Sequence, residues 1–355
     1  MLSTKELWQV IKSVKPTLGL SDSYLAKMSL PNSPFQKSSS HPGQGNIELS
    51  LLPPGRQVLT HLTYQYPLKL IAPDPHNSAQ NKQVTVVFLL TYGGGLVGGD
   101  KINLRVSLAK HTRLVLVTQG STKLFKSPTR AIKSGQTLDV NVEAGAALCY
   151  LPDPTQPFAE SVYEQRQNFF VHPNGDSSLC VLDWVSEGRR ARGESWHLWR
   201  WQGRNEVREL DPVFGQPGRL LLRDSVMLSD ESGLGGGLRE RTNEMGVFGS
   251  LILSGPLFKD LGQFFLGEFK AQPRIGARNW STASESTDAE KVVEARTIIE
   301  KQDGLLWTAA EIRGLVLVKF CSREVDGGRR WLNSIMKREG TIEREFGQQA
   351  LLCFR

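Results

Sequence analysis

Five glycines, Gly93, Gly94, Gly95, Gly98 and Gly99, run straight into Asp100. Gly93, Gly95 and Gly98 satisfy G-x-G-x-x-G, a spacing that in a dinucleotide-binding unit sets a helix N-terminus against a pyrophosphate. The next segment does not read as a helix. Lys101–Leu108 is KINLRVSL, a strict apolar–polar alternation that signals a half-buried strand. The glycines therefore lie between two predicted strands, Val84–Thr91 and Lys101–Leu108, where they would serve positive-φ turns or close backbone approach. Further on, Gly120-Ser121-Thr122-Lys123 has its lysine in the wrong place for a P-loop. A nucleotide-dependent enzyme that binds phosphate with the Gly93–Gly99 loop stays as the alternative function.

Carboxylates supply the next chemistry. Asp100 closes the glycine loop, Asp153 stands between Pro152 and Pro154, and Glu187 and Glu194 bracket Gly188-Arg189-Arg190-Ala191-Arg192-Gly193. Oxygen ligands of this kind hold a divalent transition metal weakly and release it, which suits passage rather than storage. The other reading is local: Asp100 caps a turn through an Asx bond, and the glutamates pair with the arginines. Arg189, Arg190 and Arg192 suit bidentate recognition of a partner's carboxylates. Trp196, Trp199 and Trp201 come soon after, with Trp199 and Trp201 on one predicted strand face in phase with His197. Arg with Trp is the usual composition of an interface hot spot, so Trp196 and Trp199 join the arginines as partner-binding candidates. Lys123 is a further one. Catalytic residues are not predicted, because H-E-x-x-H, G-x-S-x-G and C-x-x-C are all missing from the sequence. The six histidines have no i, i+2 or i+4 partner, so no tight metal site is advertised.

The elements that must hold these residues are mostly strands: Val84–Thr91, Lys101–Leu108, Thr112–Gln119, Leu138–Val142, Ala146–Leu151, Gln167–Val171, Ser178–Val185, Phe248–Leu253, Leu305–Ile312 and Gly314–Cys321. A unit of strand, polar turn and strand recurs: VSLAKHTRLVLV from Val106, VNVEAGAALCYL from Val140 and FFVHPNGDSSLCVL from Phe169. Such spacing suggests a stacked or helical-β architecture. If the copies stack in register, their trailing motifs at Gln119–Lys123, Pro152–Gln156 and Ser186–Arg190 meet on one edge. Helical periodicity is confined to Lys5–Val14, Lys259–Lys270, Asp326–Arg338 and a weaker Ala289–Lys301. The fold class expected is mainly β, stacked hairpins in a helical-β-like single domain over 1–355, with a few α-helices near the C-terminus. Polar stretches near 31–45, 73–82, 229–241 and 272–301 read as insertions on that domain.

Composition sets outer bounds. At 355 residues with 39% hydrophobic and 22% charged side chains, the chain has ordinary globular composition. A net charge of +7 spread without polybasic runs argues against nucleic acid as a partner. Cys149, Cys180, Cys321 and Cys353 are dispersed, and the first three lie in apolar runs, as reduced core thiols would. That fits a reducing compartment, the cytoplasm. The N-terminal segment has no signal-peptide core, and no apolar run is long enough for a membrane.

Four blocks in order, Thr91–Asp100, Thr118–Ser127, Tyr150–Phe158 and Leu182–Glu194, resemble the urease accessory protein D family (UreD, or UreH). The resemblance implies a β-rich, partly helical-β fold and a non-catalytic maturation factor that assembles with UreF, the GTPase UreG and apo-urease. It implies nickel(II) in transit toward the urease active site, with no tightly bound cofactor. Carried over by motif, Asp100, Asp153, Glu187 and Glu194 become the passage candidates. Many bacterial members carry an acidic residue where Pro154 stands here, which shifts that role onto Asp153. The long polar insertions suit a eukaryotic, fungal-type member.

Overall fold

Strands wind in successive passes with three faces. The first pass runs β5 (Gln83–Thr91), β6 (Gly95–Leu96) and β7 (Lys101–Leu108). The second runs β8 (Arg113–Val117), β9 (Thr122–Leu124) and β10 (Ser134–Val142), and the third β11 (Ala147–Tyr150), β12 (Thr155–Pro157) and β13 (Val162–Val171). A fourth pass consists of β14 (Ser178–Ser186) and β15 (Arg200–Leu210). Each strand pairs in parallel with its counterpart in the next pass: β5-β8-β11-β14, β7-β10-β13-β15 and the short β6-β9-β12. The computed structural model describes residues 41–210, 217–230, 235–272 and 296–355, and Pro42–Arg355 forms one compact unit.

The sequence repeat is the winding itself. Val106 lies opposite Val140, and Val140 opposite Phe169. Leu114 likewise lies opposite Leu148, and Leu148 opposite Leu179. The two strands of a unit belong to different sheets, so each internal turn is an arc between sheets rather than a hairpin loop.

Further strands, most of them antiparallel to their neighbours, finish both ends. At the start, β1 (Gln44–Leu52) lies beside β7 with β2 (Arg56–Tyr64) on its far side, while β3 (Leu68–Ile71) and β4 (His76–Asn77) pair with β5. At the finish, β16 (Pro217–Ser229) pairs with β15, and β17 (Val247–Ser254), β19 (Leu315–Ser322) and β18 (Leu306–Ile312) extend the second sheet outward from β14. We refer to β16-β15-β13-β10-β7-β1-β2 as sheet A and to β18-β19-β17-β14-β11-β8-β5-β3 as sheet B.

Burial follows the alternation. On β10 every second residue is buried and faces sheet B, whereas β8, β11 and β14 are buried along their whole length. Sheet B is covered twice. One face packs on sheet A through Leu104, Leu138, Leu148 and Leu179. The other packs on helices through Leu182, Trp184, Phe265, Leu332 and Phe346. Those helices are α2 (Lys259–Lys270), α3 (Val325–Glu339) and α4 (Thr341–Phe346), which come after the short α1 (Leu238–Arg241). Burial on both faces is why these strands read as continuous apolar runs.

The helix readings at 259–270 and 326–338 match α2 and α3, and residues 296–302 are helical where 289–301 is expected. The reading over Lys5–Val14 lies outside the described residues. Two polar stretches shrink: Gln44 and Gly45 already belong to β1, and Ser229 ends β16. All four cysteines are free thiols, with Cys149, Cys180 and Cys353 buried. Among the described residues no helix is long and apolar enough to cross a membrane.

Candidate functional site

The winding brings the loop motifs to one edge. Gly95 lies opposite Lys123, and Lys123 opposite Gln156. The Gln156 amide then donates to Gly188 O at 3.0 Å. The stack is tight enough to dictate glycine twice. A Cβ on Gly95 would lie 2.3 Å from Lys123 O, and one on Gly188, whose φ is +101°, would lie 2.6 Å from Pro157 O. Gly93 and Gly94 both sit at φ +72° in a 3-10 turn with open space around them. Gly98 abuts Pro128, and Gly99 has φ +100°. The loop leads into β6 and β7, so its glycines open no α-helix and the phosphate reading loses its main support. Lys123 is exposed on this edge.

The four sequence-nominated acids stand in separate surroundings. Asp100 accepts Val97 N–H at 3.0 Å, a turn cap. Asp153 is buried, accepts Thr118 Oγ1 at 3.1 Å and Gly120 N–H at 2.8 Å, and pairs with Arg329 of α3 at 2.7 Å. Glu187 accepts the Ser195 hydroxyl and lies 3.8 Å from Arg190. Glu194 is chelated by Arg189 and also accepts Ala159 N–H. Among the described residues no three His, Cys, Asp or Glu side chains come together as a metal site. The edge thus brings Glu187 and Glu194 onto one loop but leaves Asp100 and Asp153 with partners of their own.

The arginines divide too. Arg189 stacks on Phe158, its guanidinium 4.0 Å from the ring centroid, while chelating Glu194. Arg190 is exposed and reaches Glu324 at 2.9 Å. Arg192 is exposed. The Arg189 guanidinium holds the Glu194 carboxyl below the usual range. A lowered folded-state pKa adds stability above the unfolded value and loses it as pH falls through the folded one. Glu194→Gln should therefore cost about 1 kcal/mol at neutral pH. The difference from the parent should close as pH drops below the ordinary glutamate value of about 4.3. Thermal melts across that range check it.

Two of the three tryptophans are core residues. Trp196, 2% exposed, sits at φ +55°, donates Nε1 to Met245 O at 2.8 Å and packs on Phe248. It offers no area to a partner. Trp201 is buried between the sheets and donates to Thr155. β15 starts only at Arg200, so Trp199 does not share a strand face with Trp201. It lies in the preceding loop with the Arg130 guanidinium 5.2 Å from its ring.

The feature that loop reasoning misses lies between the sheets. Asp183 projects inward from β14, in phase with Leu179 and Val181. Its two oxygens accept Gln165 Nε2 at 2.9 Å and Asn205 Nδ2 at 2.8 Å, and Gln167 donates to Asn205 at 2.7 Å. Tyr163 donates to Gln165 at 3.1 Å. On sheet B the row continues Asp183, Ser250, Lys319; on sheet A it continues Gln167, Asn205, Asp224. Lys319 and Asp224 close the layer with a 2.6 Å ion pair. Burial pushes the Asp183 carboxyl up against the pull of its two amide donors, and nearby Asp224 adds to the rise. Gln167 Oε1 is buried and finds no hydrogen-bond donor among the described residues. Gly203 leaves room for this: a Cβ there would lie 2.5 Å from the Trp201 ring and 3.3 Å from Asp183 Oδ2. A cavity of about 110 Å³ adjoins the layer, lined by Asp183, Trp201, Ser250 and Lys319. The one sequence signal is an acid at an inward position of an otherwise apolar strand.

Relatives can now be set beside this geometry. Residues 42–352 match the family model described as UreD urease accessory protein. A Schizosaccharomyces pombe protein described as an uncharacterized urease accessory protein ureD-like is 32% identical over 275 residues, 77% of this chain and 87% of its own. Urease accessory protein UreD of Sorangium cellulosum is 35% identical over 253 residues, 71% of this chain and 74% of its own. Urease accessory protein 4 of Cryptococcus neoformans is 27% identical over 330 residues, 84% and 90% of the two chains. Matched over nearly its whole described length, the chain belongs to the UreD urease accessory protein family, whose role is in urease maturation.

Proposed function

We propose that this chain is a non-catalytic scaffold that binds apo-urease together with UreF-like and UreG-like partners and conveys nickel(II) toward the urease active site through the polar layer between its sheets. The observation that carries the reading is the buried Gln167 Oε1, an acceptor with no donor among the described residues, one hydrogen bond from the Asn205 amide that binds Asp183. A bare buried acceptor costs free energy unless something visits it. A hydrated cation or its water is suited to do so. Oxygen-only donors around Asp183 and Asp224 bind such an ion weakly, as transit requires. On this reading Glu187, Glu194, Asp100 and Asp153 hold the stacked edge in shape, and Arg190, Arg192, Trp199 and Lys123 are left to meet partners. GTP hydrolysis belongs to the UreG-like partner.

Host cells lacking the chain should accumulate urease protein without nickel or activity, and reintroducing the chain should restore both. Fully active urease in the deletion strain would rule the reading out.

A further inference from the structure

The outward face of sheet A is made by the side chains that alternate with the buried ones. Across it lie rows fixed by register: Asn103, Thr137, Arg166, Arg204, Ser225 in one, and Arg105, Asp139, Asn168, Glu206, Arg223 in the next. Arg166 and Arg204 are direct neighbours on parallel strands, about 4.8 Å apart in the backbone. Like charges placed so are destabilising unless compensated, and of the two only Arg166 has a carboxylate, Glu164, among the described residues.

Asp139 on this face accepts Asn168 Nδ2 at 2.7 Å, and two further carboxylates are already shared between cations. Glu164 serves both Lys133 and Arg166. Glu206 serves both Arg208 and Arg223. Arg200 and Arg204 pair with no carboxylate among the described residues, and the Nε of each is buried without a hydrogen bond. Lys101 and Arg105 add exposed positive charge at the other side. At the β16 edge Met227 is 63% exposed, in line with Gln202 and Glu164.

We propose that this face docks an acidic segment of a partner protein, with Arg200 and Arg204 receiving its carboxylates. An extended acidic strand presents alternate side chains on one side at about 6.6 Å intervals, the same period that brings Arg200, Gln202 and Arg204 to the outward face of β15. The two terminal NH₂ groups of a guanidinium chelate a carboxylate, and these, rather than the buried Nε atoms, are what Arg200 and Arg204 present outward. Met227 supplies apolar contact at the rim. The surface is separate from the inward polar layer, so it stands or falls without the nickel passage.

The test is fluorescence anisotropy of the full-length chain at low salt with a labelled peptide of alternating Glu and Ser. The parent should bind it, and Arg200→Gln with Arg204→Gln should weaken binding about tenfold or more. Exposed lysines elsewhere serve as the control: Lys82→Gln with Lys110→Gln should leave binding unchanged. If the glutamine pair fails to fold, Arg200→Lys with Arg204→Lys carries the test. It keeps the charge but loses chelation, and should still weaken binding about threefold. Parent-like affinity in the arginine variants would overturn the proposal. So would no binding by the parent, or preference for an oligonucleotide of equal charge over the peptide.

Discussion

Asp153→Ala should lower the free energy of unfolding by about 3 kcal/mol, more than any other change on the stacked edge. Asp153 is 8% exposed and its carboxylate accepts three hydrogen bonds. Its removal strips Arg329 of its 2.7 Å partner and leaves Gly120 N–H and Thr118 Oγ1 without their acceptor. Arg329 reaches from α3 to the third-pass arc, so the pair fastens the helical layer to the winding strands. A guanidinium left with only the exposed Asp326, at 3.4 Å, is the main penalty. Asp153→Ala with Arg329→Met should therefore cost less than Asp153→Ala alone, a negative interaction energy in a double-mutant cycle. Asp100→Ala, which removes an exposed turn cap, should cost well under half as much. Urea titrations of the four proteins of the cycle and of Asp100→Ala decide it. A cost below about 1 kcal/mol for Asp153→Ala would show that Arg329 finds other partners and that the edge is not pinned here.

Asp183→Asn should separate stability from function. Burial raises the folded-state pKa of Asp183, so the folded chain holds that proton more tightly than the unfolded one. Its favourable contribution is fully present below the ordinary aspartate value of about 3.9 and is lost as pH rises through the folded value. Asparagine titrates nowhere in this range. The variant should gain stability relative to the parent as pH rises from about 4 toward neutral. An amide flip of Gln165 or Asn205 repairs the one donor–donor clash the substitution creates. Partner binding should persist while urease activation in cells falls about tenfold or more, since a charged oxygen ligand has become a neutral one. Extra nickel in the medium should partly restore it. A flat stability difference across pH would mean that Asp183 is not held in the folded state as described.

The same layer explains what can and cannot be read from the sequence. The winding is legible because Val106, Val140 and Phe169 repeat in register, and α2 because Leu261 and Phe265 return at helical spacing. β15 and the first half of β13 are not legible. Their inward positions hold Gly203 and Asn205, and Tyr163 and Gln165, where a strand pattern calls for aliphatic residues. β16 and the strands before Val84 escape the pattern as well. Trp196 misleads because a tryptophan beside arginines looks the same in sequence whether it faces a partner or the core. The acids at Asp100 and Asp153 draw attention because they sit in turns. Asp183 draws none because it sits in LCVLDWV, where only the phase of the strand shows that it faces its neighbours across the sandwich.

If the interior layer, and not the set of loop acids, carries the ion, then removing its polarity must stop loading without harming the fold. A chain with Tyr163→Phe, Gln165→Leu, Gln167→Leu, Asp183→Leu and Asn205→Leu replaces the hydrogen-bonded network around Asp183 by apolar groups of similar volume and leaves only Ser250 and the self-paired Lys319 and Asp224. Such a replacement is often neutral or stabilising. The measurement is the nickel content of urease purified from cells that depend on this chain. With the apolar layer, the chain should melt no lower than the parent and still co-purify with its partners, yet yield urease almost free of nickel. Urease loaded with nickel to the parent level by that folded variant would contradict the account.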